Sequence, residues 1–321
     1  MYVLELAGEA DDFAAAEART AGRDVRVVAP GLATAAALDP DRFRTLAFSH
    51  RASHLLAETA PTADAAREAL ASVGLDGSGT VAVRARDVRS QTSIDTQAVE
   101  RALGSILVDA GYAVDLESPD RELLALFAED ACRLAWVVAI ADRGFGQRAP
   151  TDRPFFQPGS MEPHLARAVV NLAGVDPGET VLDPMCGTGG MLIEAGLIGA
   201  VPVGFDAQER MVRGAARNLR SALDRPVSLA RADATRLPVR DDSVAAAVFD
   251  VPYGRQSKIE RHALSDLIDG ALSEAARVAA RGVVVADRKL ADRAAAAGWS
   301  DAERFERPVH RSLVRHVHVL R

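Results

Sequence analysis

Four acidic residues, Asp183, Asp206, Asp233 and Asp250, each close a short apolar run in the second half of the chain. Asp250 opens Asp-Val-Pro-Tyr-Gly254, directly after the apolar run 244–249. A carboxylate beside a tyrosine ring at the end of a buried strand suits a flat object that donates hydrogen bonds to the acid and stacks on the ring. Asp183 opens Asp-Pro-Met-Cys-Gly-Thr-Gly-Gly190, whose Gly187, Gly189 and Gly190 permit a tight turn and close backbone approach before a helix over 191–197. It is not the dinucleotide signature, since Leu192 stands in the third glycine's place, and it has no lysine to grip a phosphate. Asp206 follows Asp183 by 23 residues, near the spacing at which an acid meets ribose hydroxyls; a helix N-cap ahead of Gln208 and Glu209 reads equally well. Asp233, before Ala-Thr-Arg-Leu-Pro238, reads equally as a turn residue. Each acid alone has a local explanation, whereas four in this order at strand ends point to one site.

The elements that must position these residues are regular in the second half. Strands over 180–183, 201–206, 227–233, 244–250 and 282–286 are separated by helical stretches in most cases, the pattern of a parallel sheet covered on both faces. Ligands bind such sheets outside the carboxyl ends of the strands, where strand order reverses. Residues 304–309 and 313–320 leave no room for a crossover helix and predict an antiparallel hairpin closing the sheet. The first half predicts an α+β arrangement: strands over 2–6, 24–28 and 80–86, an extended segment over 42–49, helices over 10–21, 63–73 and 95–110 with Asp95 as N-cap, then strands over 122–127 and 133–140. The Gly-, Pro- and Arg-rich segment 144–154 marks a domain boundary.

The 321-residue chain carries 48% apolar and 26% charged residues and no apolar run long enough to span a bilayer. No secretory signal is read at its start, and a cytoplasmic protein without a membrane partner is expected. Cys132 and Cys186 lie 54 positions apart with no histidine at ligand spacing, which argues against a structural metal. Net charge is −7 and the only lysines are Lys258 and Lys289. Nucleic-acid binding would therefore rest on local arginines rather than a diffuse basic surface.

The segment 155–321 resembles a class I S-adenosylmethionine-dependent methyltransferase, Asp183 to Gly190 being the cofactor loop and Asp250-Val-Pro-Tyr253 the amine-methylating tetrapeptide. Phe155-Phe-Gln-Pro-Gly-Ser-Met161, the Gly-Arg-Gln-Ser that follows Tyr253, and His310-Arg-Ser-Leu are similar to the archaeal tRNA guanine-N2 methyltransferases acting at position 10. Ala98-Val-Glu-Arg-Ala-Leu-Gly104 and Val114-Asp-Leu-Glu-Ser-Pro-Asp120 resemble the THUMP RNA-binding domain. The resemblance implies a Rossmann-like α/β sheet with a C-terminal antiparallel hairpin, preceded by an α+β half. The expected divisions are a ferredoxin-like unit over 1–58, a THUMP domain over 59–143, a linker and cofactor-lining segment over 144–160, and the methyltransferase domain over 161–321.

An exocyclic amine is a poor nucleophile because its lone pair is delocalised into the ring. Asp250 and the Val251 carbonyl, accepting both N–H bonds, would favour a pyramidal nitrogen while Tyr253 stacks on the base, and Pro252 completes the expected catalytic set with Asp250 and Tyr253. The target guanine must leave its stack first. The family tetrapeptide usually has proline where Val251 stands; a main-chain carbonyl is present either way. The resemblance further implies S-adenosyl-L-methionine as cofactor, with Asp183, Cys186, Gly187, Thr188 and Gly189 around its methionine part, Asp206 at the ribose and Asp233 at the adenine amine, while Phe156, Gly159 and Ser160 line the same pocket. Cys186 is read as a small packing residue within that loop, not as a nucleophile. Arg84, Arg86 and Arg89 are candidate RNA-phosphate contacts, with a solvated strand edge as the other reading. The implied partner is tRNA, and some such enzymes work with a small zinc-binding activator subunit. The alternatives are the same chemistry at another tRNA guanine such as position 6, N-methylation of DNA adenine or protein glutamine, and a catalytically silent RNA-binding protein.

Overall fold

In the first unit, Met1–Asp142, β1 (Tyr2–Leu6) and α1 (Asp11–Ala18) lead to four short strands, β2 (Gly22–Arg23), β3 (Arg26–Ala29), β4 (Leu32–Ala35) and β5 (Ala37–Leu38), then α2 (Pro40–Arg44) and the long β6 (Ser49–Thr59). After α3 (Ala63–Ser72) come β7 (Thr80–Asp87), α4 (Thr96–Asp109), β8 (Ala113–Val114), β9 (Arg121–Phe127) and β10 (Cys132–Ile140). Eight of these strands form one sheet in the order β3-β4-β1-β6-β10-β9-β7-β8. Asp95 caps α4 by accepting from the Ala98 N–H, as its sequence predicts. The computed structural model describes residues 1–75, 77–253, 261–310 and 313–321.

The extended segment expected over 42–49 is instead the end of helix α2 and a loop. Asp39 accepts from the N–H groups of Asp41 and Arg42, and Pro40, with its preset φ, opens the first turn. The strand starts at Ser49 and runs to Thr59. Its buried positions include Ser49 and Ser53, so no clean apolar alternation announced it. Residue 58, the expected end of the first division, lies inside this strand.

The second unit, Arg143–Arg321, follows the alternating pattern. Two single turns, Gly144–Arg148 and Pro150–Asp152, precede α5 (Pro163–Leu172), which starts on a proline at its first position. Then come β11 (Thr180–Asp183), α6 (Gly190–Leu197), β12 (Val201–Asp206), α7 (Glu209–Ala222), β13 (Ser228–Arg231), β14 (Ala246–Asp250), α8 (Arg261–Val278), β15 (Gly282–Ala286), α9 (Ala291–Ala296), β16 (Asp301–His310) and β17 (Leu313–Leu320). Strand order is β13-β12-β11-β14-β15-β17-β16. The first five are parallel, and β17 runs antiparallel to both β15 and β16, the closing hairpin that the sequence predicts.

Every residue of β15, Gly-Val-Val-Val-Ala, is buried, as expected of a parallel strand covered on both faces. One side of the sheet packs Phe249, Val284, Leu272 and Trp299 with α8 and α9. The other packs Leu192, Ile193, Ala215 and Leu219 of α6 and α7. Each buried Val, Leu, Ile or Phe among them contributes roughly 1.5–3 kcal/mol on leaving water. The chain builds β11 to β13 outward in one direction and returns to place β14 beside β11, so the order reverses between these two strands. Their carboxyl ends carry Asp183 and Asp250.

Candidate active site

Asp183, at the end of β11, is 3% exposed and accepts from the Met185 N–H at 3.0 Å. Burial pushes its carboxyl well above the usual range, and the neighbouring Asp206 and Asp250 push the same way. Beyond it the loop turns through Gly187, whose φ is +52°. A Cβ at Gly187 would meet nothing nearer than the Met185 carbonyl at 4.0 Å, so this glycine borders open space. Asp206, at the end of β12, pins the loop: its Oδ2 accepts from Gly187 N–H at 3.1 Å and its Oδ1 from Gln208 N–H at 2.8 Å. Burial raises its carboxyl too. Cys186 packs among Leu192, Ile193 and Leu219, with its thiol pushed up chiefly by burial.

The cleft above this loop is lined by Asp183, Cys186, Gly187, Thr188, Gly159, Ser160 and Asp250, bringing seven of the expected residues together. Ser160 and Thr188 hydroxyls lie 3.1 Å apart across it. Four of the chain's five methionines, Met161, Met185, Met191 and Met211, also line it, giving adaptable apolar walls. Phe156 is 43% exposed and is not among the lining residues. Asp233 lies beyond the end of β13, where it accepts from both the N–H and the hydroxyl of Thr235. This is the turn arrangement that its sequence also allowed.

At the end of β14 the tetrapeptide forms a compact polar group. The Tyr253 hydroxyl donates to Asp250 Oδ1 at 2.5 Å. Arg315 of β17, 5% exposed, donates its Nε to the Tyr253 hydroxyl at 3.0 Å and brings Nη2 to 3.9 Å from Asp250 Oδ2. Burial pushes the Asp250 carboxyl up to about 6, against the opposing pull of Arg315 and the tyrosine hydrogen bond. Burial likewise raises the Tyr253 hydroxyl, keeping it a donor. Val251 is 2% exposed and packs in the core. Residues 254–257 and 311–312, which carried part of the resemblance, lie outside the described residues.

Two residues of the site were not anticipated. Asn218 of α7, 1% exposed, accepts from Phe155 N–H at 2.8 Å and donates to the carbonyls of Phe155 and Thr188 at 2.8 and 2.9 Å. It ties the segment before α5 to the glycine loop. The Phe155 ring lies against Gly214 one turn earlier, where a Cβ would overlap the ring. Arg315 is the other. Each had a signal: a polar side chain on the apolar face of an amphipathic helix, and an arginine among the inward positions of a strand.

In the first unit Arg84, Arg86 and Arg89 all have acidic partners. Arg86 Nη1 lies 3.2 Å from Glu5, Arg89 Nη2 lies 2.9 Å from Asp11, and Arg84 reaches the Leu116 carbonyl at 2.7 Å with Glu122 at 4.0 Å. Among the described residues no group of three or more His, Cys, Asp or Glu is placed to hold a metal ion. No described helix is long and apolar enough to cross a membrane.

Sheet order, glycine loop and tetrapeptide together define a class I methyltransferase. Residues 150–316 match the family model described as UPF0020, RMKL-like, methyltransferase domain. A tRNA (guanine(10)-N2)-dimethyltransferase of Methanothermobacter thermautotrophicus is 38% identical over 238 residues, covering 71% of this chain and 69% of the relative. A protein of the same name from Pyrococcus abyssi is 32% identical, covering 75% and 74%. The crystal structure of TrmN from Thermus thermophilus, at 23% identity and a TM-score of 0.52, covers 99% of this chain and 98% of that one, a likeness of fold. The chain belongs to the UPF0020 RMKL-like methyltransferases and, with these relatives, to the tRNA guanine-N2 methyltransferases.

S-adenosylmethionine is the cofactor of this class, and the cleft suits it. Asp183 lines it at the glycine loop, with no lysine or arginine among the lining residues, a setting that admits a ligand bearing ammonium and sulfonium charge. The space that a Cβ at Gly187 would enter is left free for it.

Proposed function

We propose that this chain methylates the exocyclic N2 of guanine 10 in tRNA, once or twice, in a cytoplasmic setting. The observation that carries the reading is the Asp250–Tyr253 pair, hydrogen-bonded to each other at the end of β14, with Asp250 opening on the same cleft as the glycine loop. Bound S-adenosylmethionine supplies an electrophilic methyl group. Asp183 and the turn through Thr188 and Gly189 hold its amino-acid end, Asp206 serves the ribose, and Gly159 and Ser160 close the pocket. Asp233 is assigned to the adenine amine, and Phe156 to the pocket lining, on resemblance alone.

The remaining work falls to the tetrapeptide. Asp250 and the Val251 carbonyl accept the two amine N–H bonds and localise the nitrogen lone pair, Pro252 stiffens the turn, and the Tyr253 ring stacks on the extruded base. Forming the new C–N bond breaks the methyl–sulfur bond of the donor, leaving a neutral thioether, and gives a cationic nitrogen that must lose one proton. A carboxylate raised to about 6 is a better acceptor for it than an ordinary aspartate. In this reading the first unit recognises RNA, residues 1–58 and 59–143 being its ferredoxin-like and THUMP portions. Arg84, Arg86 and Arg89 would contact phosphate only by exchanging their present acidic partners.

The test is methyl transfer from radiolabelled S-adenosylmethionine to unmodified tRNA transcripts, with and without adenine at position 10, followed by nucleoside mass spectrometry. Methylated guanosine that vanishes with the substitution is the expected result. Label that survives it moves the target to another guanine such as position 6. No label, with or without a small zinc-binding activator subunit, overturns the proposal in favour of a silent binding protein. Asp250→Ala should abolish transfer while leaving cofactor affinity within about threefold, since the acid acts on the amine rather than on the methyl donor.

A further inference from the structure

Arg315 lies 62 positions beyond Tyr253 in the chain yet reaches three parts of the site with one guanidinium. Nε donates to the Tyr253 hydroxyl at 3.0 Å, Nη2 reaches the Gly159 carbonyl at 3.5 Å, and the same Nη2 stands 3.9 Å from Asp250 Oδ2. The Tyr253 hydroxyl, having accepted from arginine, passes its own proton toward Asp250 Oδ1 at 2.5 Å. The chain of donors therefore has a fixed direction, Arg315 to Tyr253 to Asp250. The antiparallel course of β17 beside β15 makes this possible, because it carries Arg315 back to the carboxyl end of the parallel strands.

A buried cation needs a compensating anion, and Asp250 is the carboxylate paired with Arg315 here. The other charged or titratable groups acting on this site are Tyr253, Asp287 just past β15, and Asp183 at the end of β11. Burial and Asp287 oppose ionisation of Asp250, and Arg315 together with the Tyr253 hydrogen bond is the counterweight. Lysine would be a poor substitute: an ammonium is a point charge, while the planar fork spans hydroxyl, carbonyl and carboxylate together.

We infer that Arg315 is a positioning residue for methyl transfer, fixing the Tyr253 ring through its hydroxyl and holding Asp250 as a carboxylate. The inference rests on the proposed function above, but its first readout needs no RNA. In the full chain, Asp250 is titrated by carbon-13 NMR of the aspartate carboxyls, its signal assigned by loss in Asp250→Asn, in wild type, Arg315→Gln and Arg315→Lys. The expected result is an upward shift of the Asp250 midpoint by about one pH unit in the glutamine variant and a smaller shift with lysine. Cofactor affinity by calorimetry is the control for the Gly159 contact and should fall less than transfer does in both variants.

Single-turnover transfer to tRNA should then fall about 10- to 100-fold in the glutamine variant at neutral pH, as for a displaced reacting group, with its acid limb moving in parallel with the NMR midpoint. An Asp250 midpoint unchanged in both variants overturns the inference. So does a loss of activity equal at every pH and unrelieved by lysine. If Arg315→Gln does not fold, the lysine variant carries the same two tests. Wild type that titrates as described but transfers nothing to tRNA would sink the proposed substrate and leave the Arg315–Asp250 coupling standing.

Discussion

The backbone N–H of Val251 donates to the carbonyl of Val285 at 2.9 Å, extending the parallel pairing of β14 with β15 one residue past Asp250. A proline in this place, the usual residue of the tetrapeptide, has no N–H to offer. Valine therefore anchors the loop by a strand bond that a proline could not make.

Val251→Pro should remove that bond, a net loss of about 1 kcal/mol. Asp250 is already extended, so the restriction a proline places on the preceding residue adds little. Calorimetry should record a fall of roughly 2–4 °C in the unfolding midpoint of the second unit. Methyl transfer should stay within about threefold, because the carbonyl that accepts the amine is kept. A large loss of transfer at unchanged stability would mean that the strand bond aligns the reacting groups.

Tyr253 has two separable parts, a hydroxyl that joins Arg315 to Asp250 and a ring to which the proposed function gives stacking on the base. Tyr253→Phe keeps the ring and removes a hydrogen bond that lowers the Asp250 carboxyl, so its acid limb should move up while transfer above pH 8 stays within about tenfold. Tyr253→Ala loses stacking worth about 1–3 kcal/mol and should weaken RNA-dependent turnover at every pH. Matching profiles for the two variants would refute the separation.

The raised Asp250 carboxyl carries a sign for both rate and stability. Transfer needs the carboxylate, so single-turnover rates should rise with pH through about 6 and level off above it. The folded state binds the proton more tightly than the unfolded chain. Between the ordinary aspartate value and about 6 it gains protons, and above that window the ionised acid disfavours the fold. Asp250→Asn should therefore be more thermostable than wild type at pH 8 and indistinguishable from it near pH 4. Equal melting temperatures at both values would show that the acid is not destabilised by burial.

Asn218 is fully used by its three hydrogen bonds to Phe155 and Thr188. Asn218→Ala leaves buried backbone groups without partners, at a cost of about 1–3 kcal/mol each. Cofactor affinity measured by calorimetry should fall about tenfold, the size of a 1.4 kcal/mol loss of loop order. Asn218→Asp should be worse than alanine in both stability and affinity, because a carboxylate oxygen would face the two carbonyls. An aspartate variant with wild-type affinity would exclude Asn218 as the link between segment and loop.

The sequence by itself determined what depends on neighbours in the chain. Strand ends at Asp183, Asp206 and Asp250, the glycine turn, the Asp95 cap and the closing hairpin are local patterns of period, turn and cap, and each appears where its residues predict. The α/β alternation placed the site at the carboxyl ends of the strands, and the sheet order then set the reversal between β11 and β14. Only the tertiary structure decided which charges are spent and on what. Arg84, Arg86 and Arg89 look alike in sequence as phosphate contacts, yet two strands and the start of α1 bring Glu122, Glu5 and Asp11 to them. Asp233 sits in the expected order but turns its carboxylate onto Thr235. Arg315 and Asn218 serve partners 62 and 63 positions away, and no local period encodes a contact made by the return of an antiparallel strand or by one helix face on a loop. Hydrogen bonds and ion pairs act within a few ångströms in space, whereas local sequence patterns describe separations of a few residues along the chain.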